Sequence, residues 1–390
     1  MNGQSQSQSR SCAAINVDAA VASIAAKLAA YDAVQPDKTA YPNEAKGATW
    51  STVPAPDWVS GFYPGTLWYT YEFAQRRGWP DREQWRKRAD SWTIGLTHEQ
   101  FTTTNHDLGF MIMDSFGHAF RLTGEARYKS VVLQAAQSLG KRYTPQVGMI
   151  RSWGDIDDAK NYIVIIDNMM NLELLIWAAE NGGSADLKKI AFEHADRSIV
   201  EFFRADDSTC HVLDLDPATG LVKRKYTHQG LDDESCWSRG QTWAIYGYAY
   251  LYETTGTDRY LQQSLKAAEY YLARLPTDHV PPSDFNSGLT ALEFKDSSAA
   301  ALAACAFFRL SRLCQAPADR TRFWDAAVQT LASLVNAPYF STDADFASAL
   351  RYQARNYHSD AAHRLTNTGL IFGDYYLLEA LLAYDSATNA

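Results

Sequence analysis

Nearly every long segment of the chain repeats apolar residues at i, i+3, i+4 and i+7, and these segments come in two alternating kinds. One kind is apolar on almost every face: GTLWYTYEF (65–73), FMIMDSFGHAF (110–120), NLELLIWAA (171–179) and QTWAIYGYAYLY (241–252). The other kind carries a single apolar stripe among Lys, Arg, Glu and Gln: YKSVVLQAAQSLGKRY (128–143), LKKIAFEHADRSIVEFF (187–203) and YLQQSLKAAEYYLARL (260–275). A helix that is apolar all round must be buried, whereas a striped helix can line the outside. Taken in order the segments pair as 108–122 with 126–142, 168–181 with 186–203, and 240–255 with 259–274, giving about six hairpins. Gly-rich breaks at 76–78, 123–124, 181–183 and 255–256 supply the C-caps. An inner ring of helices inside an outer ring is an all-α (α/α)6 barrel, or toroid. The expected organisation is a flexible segment at 1–20 followed by a single (α/α)6 domain over 21–390. Short β-prone pieces, MIRSW and GLVKRKYT, suit hairpins in the connections.

The polar residues are also placed regularly. A cluster stands just before or at the start of each inner segment: WVSGFYPG (58–65), TNHD (104–107), IID (165–167), CWSRGQTW (236–243), KDSS (295–298) and TNTG (366–369). Parallel inner helices would bring all six clusters to one end of the ring. There they would form a pocket of aromatic rings with a few carboxylates, Arg and His, which is how carbohydrate sites are composed. The aromatic content, 13% with 11 Trp, 22 Tyr and 17 Phe, agrees with this, because flat rings stack on sugar faces.

Several classes of function fit poorly. A net charge of −9 without a Lys/Arg-rich run leaves no basic surface for nucleic acid. No stretch approaches the ~20 apolar residues of a membrane span. The polar start MNGQSQSQSR lacks the apolar core of a signal peptide. Cytoplasmic residence is the simplest expectation, and secretion stays open if a leader has been removed. The five cysteines, Cys12, Cys210, Cys236, Cys305 and Cys314, form no CxxC pair and are expected as free thiols, with a single bridge the alternative. No HExxH, EF-hand loop, GxSxG, P-loop or GxGxxG is present, so neither metal nor cofactor is expected. Acid/base chemistry on a sugar is what remains.

Asp107 and Asp167 each directly precede an inner helix. Either could be an N-cap, worth about 1 kcal/mol. Yet NHD sets three polar groups where one would cap, and Asp167 follows the apolar run YIVII, where burial raises a carboxyl pKa toward that of a general acid. Two carboxylates in one pocket would drive their pKa values apart. Capping and catalysis are compatible, and Asp107 is expected to do both. In THQGLDDESCWSRGQTW (227–243), Arg239 lies between Trp237 and Trp243. It can hold an anion while the rings stack on a sugar, or it can pair with Asp232, Asp233 or Glu234. His228 and Gln229 suit hydroxyls or a carboxylate, and His211 can join them. His194 and His118 fit structural roles, Asp296 reads as a plain helix cap, and Asp284 is open.

NHDLGF (105–110), IDNMMNLELLIWAA (166–179), ESCWSRGQTWAIYGYAYLYETTG (234–256), DSSAAALAA (296–304) and GLIFGDYYLLEALL (369–382) together resemble the unsaturated glucuronyl hydrolases, family 88 of the glycoside hydrolases. The resemblance runs in order through residues 55–385. It implies an (α/α)6 barrel that removes the 4,5-unsaturated uronic acid left at a non-reducing end by polysaccharide lyases. The acid matching Asp167 protonates C4 of the vinyl ether and then takes a proton from the water that adds at C5. The acid matching Asp107 holds the sugar and keeps Asp167 protonated. By the same matching His106, His211, His228, Gln229, Arg239 and Trp243 line the uronate subsite, and Trp237 is expected beside them as a stacking ring from its place next to Arg239. Phe62 and Tyr63 stand near where the family has a stacking Trp. The implied partner is an unsaturated uronate-containing oligosaccharide, taken by a monomer or homodimer. The related unsaturated rhamnogalacturonyl hydrolases, another glycosidase or lyase on the same toroid, and a non-catalytic helical scaffold are the alternatives.

Overall fold

The structure, a computed structural model, describes residues 15–358, 360, 362 and 364–389. The expected alternation of buried and striped helices appears as two concentric rings. The inner ring is α2 (Phe62–Arg77), α4 (109–123), α6 (Asn168–Glu180), α8 (Ser238–Thr255), α10 (Ser297–Leu313) and α12 (Ile371–Thr388). The outer ring is α1 (Val17–Val34), α3 (Arg82–Ile94), α5 (Ala126–Gly140), α7 (Ala185–Phe202), α9 (Asp258–Ala273) and α11 (Pro317–Leu334). Each inner helix packs on the next, and α12 packs on α2, so the ring closes as an (α/α)6 barrel.

Burial follows the sequence pattern. In α2 every residue from Phe62 to Ala74 is buried. In α9 the buried set is confined to one stripe that includes Tyr260, Leu261, Ser264, Ala267, Ala268 and Tyr271. Gly78, Gly124 and Gly256 close α2, α4 and α8 in the left-handed conformation, with φ of 64°, 71° and 64°. That role favours glycine because it has no Cβ to clash. Helix α1 opens at Val17 with Asn16 as its cap, so residues 17–20 are helical rather than part of a flexible segment. The rest of that expected segment, 1–14, lies outside the described residues. Cys210, Cys236, Cys305 and Cys314 are unpaired and buried, and Cys12 lies outside the described residues. Among the described residues no helix is long and apolar enough to cross a membrane.

Three small sheets occupy the connections. β1 (Ala40–Lys46) pairs with β2 (Thr49–Pro54) and with β8 (Gly369–Leu370), and β3 (Tyr143–Thr144) pairs with β4 (Met149–Ile150). The third has the order β5 (Tyr162–Ile165), β6 (Val212–Leu215), β7 (Val222–Tyr226). MIRSW and GLVKRKYT supply β4 and β7, whereas the β1–β2 hairpin has no counterpart in the sequence reading. The antiparallel register sets Ile165 opposite Val212, which brings the residues just beyond them, Asp167 and His211, to the same end of the barrel.

The first nine residues of α4, Gly109–Gly117, are π-helical, a form found mostly as short insertions at functional sites. The contact between α2 and α4 begins at Gly61, where a Cβ would come within 2.0 Å of the Phe110 carbonyl oxygen. Backbone must move to admit it. Gly61→Ala is therefore expected to lower stability by about 1–3 kcal/mol, as overpacking does. A urea midpoint that falls with an unchanged slope would report this.

Candidate active site

The clusters at the N-terminal ends of the inner helices converge as expected. Asp167 occupies the N-cap position of α6, but its backbone is already helical (φ −55°, ψ −25°) and its side chain caps nothing. An N-cap side chain turns back onto its helix from an extended backbone, so Asp167 is released into the barrel mouth. Asp107 does not cap α4 either, which corrects the expected double role. Its amide is held by the Asn105 side chain at 2.9 Å, and its carboxylate lies 3.3 Å from Nε2 of His106.

His211 has a defined tautomer. Its Nδ1 accepts the backbone N–H groups of His228 (3.1 Å) and Gln229 (3.2 Å), so the ring proton of the neutral imidazole must sit on Nε2. Burial holds the pKa of His211 well below that of free histidine, which keeps it neutral. Nε2 lies 3.6 Å from Oδ2 of Asp167, and both atoms are buried without a hydrogen-bond partner. A donor and an acceptor thus face each other at slightly more than bonding distance. His106 is also neutral, with burial lowering its pKa to about 4.

Burial raises Asp167 to about 6, against the pull of His106 and Arg239. Burial raises Asp107 further, to about 7, and the neighbouring Asp57 carboxylate adds to the rise while Arg142 opposes it.

Arg239 pairs with Asp296 at 2.8 Å in full burial, rather than with Asp232, Asp233 or Glu234. It also donates to the carbonyls of Ala354 and Arg355, and its guanidinium lies over the Trp237 ring at 4.5 Å. Asp296 is a cap as expected, accepting from the amides of Ser298 and Ala299, and it additionally holds the Ala354 amide. Trp237 in turn packs on His211 with ring centroids 4.5 Å apart. Gln229 donates to the Arg355 carbonyl, and His228 is exposed at the rim, edge-on to Trp153. Asp284 is a brace, accepting from Leu231, Ser235 and Asn286. His194 is structural, holding the Ile150 amide.

The aromatic assignments need correction. Tyr63 is fully buried and faces the outer layer, where its hydroxyl donates to the Leu28 carbonyl and its ring packs on Trp92. Phe62 and Trp243 are also fully buried, packed on either side of Phe110. They form the floor of the mouth and leave no face for a sugar. The ring above them is Trp58, only partly buried and in contact with Phe62, Phe110 and Phe372. Trp58 stands in the same WVSGFYPG stretch; helix α2 starts only at Phe62, so its own residues turn into the core and the residue before it stays accessible. Sequence reasoning also missed Asp57, Trp153 and Arg355. The guanidinium of Arg355 has no hydrogen bond or ion pair among the described residues, and it lies within electrostatic range of Asp57 and His228.

Known proteins share this arrangement of helices. No protein-family model matches the chain. The unsaturated glucuronyl hydrolase of Formosa agariphila is 36% identical over 333 residues, covering 84% of this chain and 80% of that protein. A crystal structure of an unsaturated glucuronyl hydrolase specific for heparin superposes with a TM-score of 0.86 at 30% identity, covering 96% of this chain and 98% of the other. The structure of the Bacillus sp. GL1 enzyme, described as responsible for the degradation of glycosaminoglycan, gives 0.85 at 30% identity, over 95% and 96% of the two chains.

Asp57→Asn removes a like charge beside Asp107. The carboxyl carbon of Asp107, followed by NMR against pH, should then titrate below its present value of about 7. An unmoved midpoint would show that Asp57 has no part in the rise.

Proposed function

Because the chain belongs to the unsaturated glucuronyl hydrolases, we propose that Asp167 is its proton donor and acceptor in removing a 4,5-unsaturated glucuronic acid from the non-reducing end of lyase-generated oligosaccharides. The observation that carries this reading is the buried, unpartnered Oδ2 of Asp167 facing the neutral Nε2–H of His211 at the barrel mouth. A residue that gives a proton and then takes one back needs a pKa near working pH, and burial has already brought Asp167 to about 6. The substrate carries its own carboxylate, and a like charge entering the mouth raises a neighbouring acid further.

In the proposed sequence the protonated Asp167 delivers its proton to C4 of the enol ether, and positive charge develops at C5 and the ring oxygen. The carboxylate so formed takes a proton from the water that adds at C5. The resulting hemiketal opens and releases the remaining sugar. His211 steadies the carboxylate form through Nε2–H and holds the side chain in one orientation. Asp107, next to His106, binds sugar hydroxyls, and in its charged form it favours the protonated form of Asp167. Trp58 supplies the stacking face. Arg239 acts at a distance, since its own donors hold the loop at 354–355.

Asp167→Asn keeps the shape and loses the titrating proton. Turnover of unsaturated glucuronyl disaccharides, followed by loss of the ultraviolet absorbance of the conjugated double bond, should fall by about 10²–10⁴-fold, the usual contribution of a general acid. An Asn variant within tenfold of the parent would remove Asp167 from the role. A lyase would create that absorbance instead of consuming it, so the same trace separates the two reactions.

The guanidinium of Arg355, which has no hydrogen bond or ion pair among the described residues, supports an anionic sugar in the substrate, such as a glycosaminoglycan fragment. Arg355→Ala is expected to raise KM for sulfated unsaturated disaccharides by roughly tenfold, as loss of a charge-assisted contact does, with kcat little changed. Equal KM values for parent and variant on sulfated and unsulfated substrates would assign Arg355 elsewhere.

A further inference from the structure

A second cavity lies at the other end of the barrel, beneath the aromatic floor. It encloses about 670 Å³ and runs from Phe110 and Met170 to Arg312 and Ser386, at the C-terminal ends of the inner helices. That volume falls within the range of small-molecule sites. Its walls are aromatic, with Trp177, Phe308 and Trp324 among them.

Three carboxyls (Asp114, Glu173 and Glu379) and three guanidiniums (Arg121, Arg309 and Arg312) line it, but the guanidiniums are engaged by Glu72 and Glu253 outside it. Glu379 is satisfied by the hydroxyls of Tyr246 (2.8 Å) and Tyr69 (3.3 Å). Arg309 is turned to Glu253 at 3.3 Å and lies over the Tyr246 ring, with only its Nη1 lacking a partner. Arg121 is bound to Glu72 and His118 to Tyr375. Asp114 accepts from Tyr375 through Oδ1 (3.1 Å), but its Oδ2 is buried with no donor. Glu173 has neither a hydrogen bond nor an ion pair among the described residues, and burial raises its pKa to about 7, with Arg309 opposing the rise and Glu379 adding to it. Unmatched acceptors on two carboxyls thus face one unmatched N–H, inside aromatic walls. Burying an unpartnered carboxylate oxygen such as Oδ2 of Asp114 is costly, and an ammonium group over aromatic faces is the complement of such a site. Among the described residues no group of three or more His, Cys, Asp or Glu could hold a metal ion.

We propose that this far cavity is a second binding site, for a small organic cation with an aromatic body, held by Glu173 and Asp114 between the rings of Trp177 and Trp324. The site is separate from the catalytic mouth, from which Phe62, Phe110 and Trp243 divide it.

Benzylammonium is a suitable probe, with benzyl alcohol as its neutral counterpart, in calorimetric titration of the full chain. The expected result is one-to-one binding of benzylammonium with Kd of about 1 mM or tighter. Glu173→Gln should weaken it at least tenfold, leave the melting temperature no lower and leave turnover of the unsaturated disaccharide unchanged. If Glu173→Gln does not fold, Asp114→Asn serves with the same expectation. Absence of binding to the parent, equal binding of benzyl alcohol, undiminished binding to the variant, or competitive inhibition of turnover by benzylammonium would each overturn the proposal.

Discussion

The mouth of the barrel depends on one buried ion pair, Arg239 with Asp296. Asp296 caps α10, Arg239 stands in the first turn of α8, and both reach the backbone at 354–355 that crosses between them. Two inner helices and the last long connection are therefore locked by a single set of charge-assisted hydrogen bonds. Neither group has an exposed surface to recover hydration from, so removing one partner leaves an uncompensated charge, at about 3–5 kcal/mol. The arrangement also fixes the electrostatics of Asp167, whose pKa is lowered by the same guanidinium. A structural pair thus sets how far burial can raise the acid.

The acids themselves work against stability. Asp107 and Asp167 are buried with pKa values raised to about 7 and about 6, meaning that the charged forms are disfavoured in the fold relative to water. Neither takes the cap hydrogen bonds that its position in sequence offers. The helical backbone at Asp167 and the π-helical start of α4 behind Asp107 direct both side chains away from their own helices. Unmatched buried polar atoms on His106, Asp167 and His211, concentrated at one place, are the usual mark of a site whose partners come from outside.

Much of the fold was legible because the inner and outer rings demand different surfaces: α2 buries thirteen consecutive residues, Phe62 to Ala74, where α9 buries a stripe. The acids were legible from their positions before inner helices. Other features depended on contacts that no local pattern encodes. Arg239 found Asp296, 57 residues away, in preference to the acids beside it in sequence. The fixed tautomer of His211 follows from two backbone amides 17 and 18 residues further on. Trp58 was overlooked in favour of Phe62 and Tyr63 because the start of α2, which decides inward from accessible, carries no side-chain cap to mark it.

The two-ended character of the molecule follows from the geometry of six. Helices packed ~9 Å apart in a ring of six leave their axes ~9 Å from the centre, a gap roughly as wide as another helix. Small aliphatic residues cannot fill it from the rim, so the ring must be plugged by large side chains. Phe62, Phe110, Trp243 and Tyr376, from four different inner helices, meet there as that plug. A plug only one or two side chains deep cannot fill inner helices of 13–18 residues from end to end. Space is left above it and below it, and both spaces are lined with aromatic rings and ionisable groups. At the N-terminal end, connections of up to several tens of residues fold over that space and shape it into the mouth that holds Asp107 and Asp167. At the C-terminal end the connections are short, as at Gly124 and Gly256, and the side chains of the inner helices, with Trp324 of the outer helix α11, define the cavity. Its chemistry is therefore written in the inner helices themselves, in Asp114 and Glu173, at positions where an aliphatic residue would have closed the barrel more cheaply.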